Sequence, residues 1–217
     1  MATKKQAAQV LGNRQAAYTA RNKARLIKDA QEVLAEIGPS ATIEQLAAHA
    51  QVSPTTIYKY FENKDLLFIE ALGEMWHGWV PWAFAQTSTT DDFEAAITVV
   101  RRIFRVKETH PHFAQVLQNT IMEIPDFFIH ADEETAKKLL ARLASRGEIT
   151  NEDFEYRFRL WSSMIIGLMT AVHVTEELSP EQADDALCIA LSVWGVTPAR
   201  AKKIVSRPVV LPLRAIH

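Results

Sequence analysis

The sequence has one cysteine, Cys188, so neither a disulfide framework nor a four-cysteine zinc site can form within one chain. Glycine and proline are scarce, at 7 and 9 residues, and β-branched residues do not cluster in alternating runs. Alanine, leucine, glutamate, glutamine, lysine and arginine dominate instead, which favours helix. The most apolar run, 161–174, is interrupted by Ser162, Ser163, Gly167, Thr170 and His173, and is too short and too polar to span a bilayer. Met1-Ala2-Thr3-Lys4-Lys5 leads into polar and alanine residues rather than an apolar signal core. The histidines lack a His-Glu-x-x-His spacing, and there is no Gly-rich phosphate loop or Gly-x-Ser-x-Gly elbow. The expectation is a soluble cytoplasmic protein that is not an enzyme and uses no cofactor and no metal.

What is present is a chain of 217 residues, 48% hydrophobic and 23% charged, enough for a buried core and one or two domains. The formal charge of −2 hides an asymmetry. Within 1–30, Lys4, Lys5, Arg14, Arg21, Lys23, Arg25 and Lys28 face Asp29 alone, a balance of +6 that leaves −8 for the rest. A basic end on an acidic body points that end toward a polyanion; a solvated basic tail is the plainer reading.

Hydrophobic spacing and punctuation divide the chain into helices. Residues 1–20, rich in alanine and glutamine, read as a basic arm, partly helical or mobile. Ile27, Ala30, Val33, Leu34 and Ile37 fall at helical spacing, and Gly38-Pro39 stops that helix. Thr42-Ile43-Glu44-Gln45 is a capping box opening a second short helix. After the turn Gln51-Val52-Ser53, Ser53 is an N-cap and Pro54 a first helical residue for a third helix to about Tyr60. A fourth starts at Glu62 or Asn63 and runs toward Trp82. Further helices are expected over 91–109, 112–123, 130–146, 152–175, 180–195 and 198–205, with Ser179-Pro180-Glu181-Gln182 a second full start signal. The fold class is all-α: a three-helix N-terminal domain over 21–66, after the arm 1–20, and a helical domain over 67–217.

Two short helices joined by a three-residue turn and backed by a supporting helix make a helix-turn-helix, whose second helix enters the major groove of DNA. Ile57 and Phe61, at i and i+4, can anchor that helix from behind. Thr55, Thr56, Tyr58, Lys59 and Tyr60 then face outward, their hydroxyls suited to phosphate oxygens and Lys59 to phosphate or guanine. Lys64, in the first turn of the next helix, can join nearby backbone N–H groups on one phosphate. Tyr58 and Tyr60 could instead pack between helices.

These segments resemble the TetR family of bacterial transcriptional regulators. The resemblance rests on Arg25-Leu26-Ile27, on Thr42-Ile43-Glu44-Gln45-Leu46-Ala47, and on Val52-Ser53-Pro54-Thr55-Thr56-Ile57-Tyr58-Lys59-Tyr60-Phe61-Glu62-Asn63-Lys64-Asp65-Leu66-Leu67. It covers about 21–70. Gln51 and Thr55 stand where the family has glycine, Leu34 where phenylalanine is frequent, and the Gly38–Thr42 link is a residue shorter than common. Gln51 is strained if its position requires a positive φ. The resemblance implies phosphate contacts by Thr42, Thr56, Tyr58, Tyr60 and Lys64, with Pro54, Thr55 and Lys59 near the bases and Ser53 at the start of the reading helix. Arg21 and Lys23, with Arg14, can add minor-groove or phosphate contacts, or only a general field.

The resemblance further implies that the C-terminal domain binds a small ligand and forms a dimer. Locally, helix 152–175 is apolar on two faces, with a row of small residues, Ser163, Gly167 and Ala171, that would let a partner helix approach. With Ala183, Leu187, Ala190, Leu191 and Trp194 of helix 180–195 it can build a four-helix interface between subunits, or an internal hairpin in a monomer. Candidate ligand contacts are Phe104, Phe113, Asn119, Met122, Trp161, Met164, Ile165 and Met169.

The function expected is a homodimeric, ligand-responsive repressor on a pseudo-palindromic double-stranded operator, its half-sites about 34–36 Å apart or a multiple of that. A small-molecule effector would release it by shifting the reading heads through helix 63–83, and it must prefer the DNA-incompetent state to do so. Two alternatives remain: an activator or ligand-independent regulator of the same fold, and an all-α protein-interaction module.

Overall fold

The computed structural model describes residues 4–211, with the side chains of 14–211. The described residues are helical or irregular, without strands. The helices are α1 (Lys4–Glu36), α2 (Ile43–His49), α3 (Pro54–Tyr58), α4 (Lys64–Ala85), α5 (Asp92–Ile103), α6 (Val106–Thr109), α7 (Pro111–Thr120), α8 (Pro125–His130), α9 (Glu133–Ser145), α10 (Phe154–His173), α11 (Pro180–Ser192) and α12 (Pro198–Val205). The chain divides into a head, Met1–Leu72, and a body, Gly73–His217.

Start signals fix the helices of the head. Thr42 accepts from the Gln45 amide while the Gln45 side chain accepts from the Thr42 amide, closing the capping box. Ser53 accepts from the Thr56 amide at the start of α3, with Pro54 at its first position. Asn63 caps α4 by accepting from the Leu66 amide. Gly38, at φ 89°, ends α1 in the left-handed region, and its N–H donates to Val33 O. The core of the head joins Leu26, Ile27, Ala30, Val33 and Leu34 of α1 to Leu46 and Ala47 of α2, Ile57 and Phe61, and Leu67 and Phe68 of α4.

Several boundaries differ from the sequence reading. α1 begins at Lys4 rather than near Arg21, because the alanine- and glutamine-rich stretch before Arg21 holds no proline and continues the ladder through Gly12. The helix expected over 91–109 breaks at Phe104–Arg105 into α5 and α6, and α8 is an additional turn of helix opened by Pro125.

Gln51 occupies φ 53°, so the position does require the left-handed region that a glycine fills freely. Gln51→Gly is expected to stabilise the head by about 1 kcal/mol, measured as a rise in denaturation midpoint; no rise would show that the Gln51 conformation carries no strain.

The body is pinned by buried cations. Asp184 of α11, 5% exposed, receives the guanidinium of Arg101 at 2.9 Å and that of Arg105 at 2.8 Å. Arg102, 2% exposed, donates instead to backbone carbonyls: Ala83 and Gln86 at the end of α4, and Val210 near the end of the described chain. Burial holds its pKa below the ordinary arginine value.

His173, buried on α10, donates from Nε2 to Ile103 O at 2.8 Å, so the neutral ring with a proton on Nε2 is the form that fits. Burial lowers its pKa from the ordinary 6.5, only partly opposed by that carbonyl, and Lys107 lowers it further. Because the folded value lies below the unfolded one, the stabilisation is complete above about pH 6.5 and is lost as pH falls through the folded pKa. Melting temperatures of the wild type and His173→Gln between pH 8 and pH 5 should therefore converge on acidification; parallel curves would exclude His173 as the cause.

Candidate nucleic-acid interface and effector cavity

The turn between α2 and α3 carries the outward face. Ile57 is fully buried and Phe61 nearly so, which holds α3 from behind and leaves Ser53, Thr55, Tyr58 and Lys59 exposed. Pro54 and Thr56 are half-buried, and Thr56 Oγ1 lies 3.0 Å from Ser53 Oγ. Thr42 is exposed beside its capping box. α3 has five helical residues, fewer than the sequence reading gave it; Lys59 and Tyr60 form the turn that follows. The exposed surface offers hydroxyls, a phenol and one ammonium group, all suited to phosphate oxygens and base edges.

Other residues expected at this surface have roles within the head. Tyr60 is half-buried and accepts from Asn22 Nδ2 at 3.0 Å. Lys23 pairs with Glu70 at 2.7 Å and lies over the Phe61 ring, while Arg21 is exposed on α1. The Lys64 ammonium donates to Pro39 O at 2.7 Å and to Ala41 O at 2.8 Å, closing the loop between α1 and α2. Lys64→Gln is expected to destabilise the head by about 2 kcal/mol, seen as an earlier thermal transition. The salt dependence of DNA binding should stay unchanged, since that slope counts phosphates neutralised; a slope lower by about one would make Lys64 a phosphate contact instead.

The sequence reading expected no metal site. Among the described residues, Asp29, Glu32 and His49 bring ligand atoms within 4.8 Å of one another. His49 Nε2 is already 2.9 Å from Glu32, and His49 Nδ1 is 3.9 Å from Glu36, so the imidazole serves the helix pair as an internal partner.

The body holds a partly open cavity of about 230 Å³, walled by α4, α5, α8, α9, α10 and the end of α11. α10 turns Trp161, Ile165 and Met169, at i, i+4 and i+8, into the wall. Met164 lies off that stripe and outside the wall, as do Phe104, Phe113, Asn119 and Met122. Phe104 is buried in the core, and Phe113 packs against Trp76 and Trp79, with centroids 6.4 and 6.1 Å away. Met122 is 64% exposed. The sequence analysis singles out none of Trp76, Trp79, Leu139 and Leu140, which also line the cavity from α4 and α9.

The dimer residues expected on α11 require correction. Ala183, Leu187, Ala190, Leu191 and Trp194 are buried inside their own chain, and Leu191 and Trp194 help wall the cavity. Their stripe is the inner face of α11, packed on α10 and α12. The small row on α10 lies differently: Ser163 and Gly167 are exposed and Ala171 half-buried, in line with exposed Tyr156 and Leu160. Ile189 stands exposed on the outer side of α11.

Residues 26–71 match the family model for bacterial regulatory proteins of the tetR family. The fold is similar to the solved structure of RolR in complex with the ligand resorcinol. That match has 20% identity and a TM-score of 0.70, covering 90% of this chain and 98% of that one. RolR without ligand is similar at 20% identity and a TM-score of 0.69, covering 87% and 98%. The fatty acid degradation regulator FadR from Bacillus halodurans matches at 22% identity and a TM-score of 0.50, covering 84% and 92%. No curated protein matches the sequence. No helix among the described residues is long and apolar enough to cross a membrane.

Proposed function

With the head of this chain, residues 26–71, belonging to the tetR family of bacterial regulatory proteins, we propose that the protein is a homodimeric repressor that occupies a pseudo-palindromic operator and leaves it when a small molecule fills the cavity of the body. The observation that carries this reading is the mounting of α3: Ile57 and Phe61 hold it inward while Ser53, Thr55, Tyr58 and Lys59 stay exposed. Such a helix can lie in the major groove, with the cap of α2 at the phosphates alongside.

A two-fold operator needs a two-fold protein. The surface assigned to the second copy is the stripe Tyr156, Leu160, Ser163 and Gly167 on α10, with Ile189 on α11. Large apolar side chains stand exposed there beside small ones that permit close helix approach. Ligand response runs through α4. Its first turns belong to the head, and Trp76, Trp79, Val80 and Phe84, further along the same helix, wall the cavity. A ligand that fits one position of α4 better than another biases the equilibrium by that difference in affinity. Similarity to RolR, solved with and without resorcinol, supports a body that admits a small molecule.

The test is fluorescence anisotropy with DNA fragments from upstream of the protein's own coding region, across a salt series. Binding that weakens steeply with salt is expected. Binding to none of the fragments, or binding indifferent to salt, would overturn the reading.

A further inference from the structure

The wall of the cavity has a chemical bias. Its aromatic members include Trp76, Trp79, Phe128, Phe158, Trp161 and Trp194, and its ionisable members are Asp132 and Glu133. Among the described residues, no lysine, arginine or histidine lines it.

The two carboxylates differ. Glu133 is already engaged, by Lys137 at 2.8 Å and His130 at 2.5 Å, and these partners pull its pKa down to about 2. Asp132 is held by an uncharged donor: the Trp76 indole N–H donates to its Oδ2 at 2.6 Å. The basic side chain beside it is His77, exposed, with Nε2 3.9 Å from Oδ1. Asp132 is therefore fixed in place by a neighbour that also lines the cavity, and that neighbour leaves its negative charge uncancelled.

An anionic ligand entering this space would meet two carboxylates, and the ammonium beside the wall, Lys137 over the Phe158 ring, is already paired with Glu133 and Glu155, so the ligand's lost hydration would be poorly compensated. A ligand with an aromatic body and a hydrogen-bond donor gains on both counts. Its rings pack against indole and phenyl faces, and its donor makes a charge-assisted bond to the half-buried Asp132 carboxylate. A protonated amine gains further from the aromatic faces.

Resting on the reading of the cavity as an effector site, we propose that the effector is an aromatic molecule bearing a hydroxyl or ammonium donor that binds Asp132, and that organic carboxylates are excluded. Phenols and aromatic amines share this chemistry.

Isothermal titration calorimetry of the full chain at pH 7.5 with 2-naphthol, 2-naphthylmethylammonium and 2-naphthoate tests this on one scaffold. The neutral and cationic probes are the two arms of the proposal, and tighter binding by either identifies the source of the donor. Either probe should bind at least about tenfold tighter than naphthoate, one charge-assisted bond being worth that factor or more. In Asp132→Asn, which keeps an oxygen for the Trp76 N–H, the preference should shrink to within about threefold while the melting curve is retained. Naphthoate binding as tightly as the others, no binding by any probe, or a preference that survives in a folded Asp132→Asn protein would overturn the assignment.

Operator release, followed by anisotropy with the same probes, separates this from the proposed function. Probes that bind in the expected order but leave the DNA complex intact would uphold the ligand class and sink ligand-released repression. Release by naphthoate alone would do the reverse.

Discussion

Asp184→Ala is expected to destabilise the body by about 3–5 kcal/mol, because it removes the one buried carboxylate facing the Arg101 and Arg105 guanidinium groups. The magnitude comes from what is left behind. Asp184, Arg101 and Arg105 are each under a tenth exposed. Without the carboxylate, two cations remain desolvated. Arg101 then keeps only backbone acceptors, Ile204 O and Arg207 O, and Arg105 keeps Arg101 O and the exposed Glu181. A loss of that size in a chain of this length corresponds to a melting temperature lower by roughly 10 °C. Differential scanning calorimetry on both proteins measures it. A shift below about 2 °C would mean that water reaches the cluster and that its burial contributes little. Asp184→Asn should fall between, since the amide accepts hydrogen bonds without supplying charge.

The second large effect concerns DNA. Replacing both Tyr58 and Lys59 by alanine is expected to weaken operator binding by at least about thirtyfold, each contact being worth about 1–3 kcal/mol. Both side chains are exposed, Tyr58 at 52%, so the thermal transition should move little. That pairing, lost affinity with retained stability, separates a recognition surface from a packing one. The salt slope should also drop by about one if Lys59 meets a phosphate, and specificity at one base position should relax if it meets guanine. Affinity within about threefold of wild type would remove α3 from the reading surface.

Much of the head was legible because its signals are local. Thr42 with Gln45, Ser53 with Pro54, and Gly38 each act within five residues, and each stands where the sequence pattern places it. Lys64 was harder to read: its ammonium reaches carbonyls of Pro39 and Ala41, and no spacing rule announces an acceptor more than twenty residues away. The body was less legible still. Leu187, Leu191 and Trp194 form a clean apolar stripe, but a stripe records burial and not which chain does the burying. The cavity wall draws on α4, α5 and α9 as well as α10. Aromatic residues such as Trp76 and Trp79 read as ordinary core until neighbouring helices leave space beside them. The Arg101–Asp184 pairing spans 83 positions, far beyond any periodicity that a sequence displays.

The three carbonyls around Arg102 set a practical rule for handling the molecule. One of them, Val210 O, belongs to the irregular stretch after α12, so this stretch serves as a plug over an interior cation rather than as a dispensable trailing end. A carboxypeptidase digest or an engineered stop upstream of Val210 would uncork that site, and solvent would enter where α4 and α5 meet. Affinity handles and fluorescent fusions are therefore better attached ahead of α1 than behind α12.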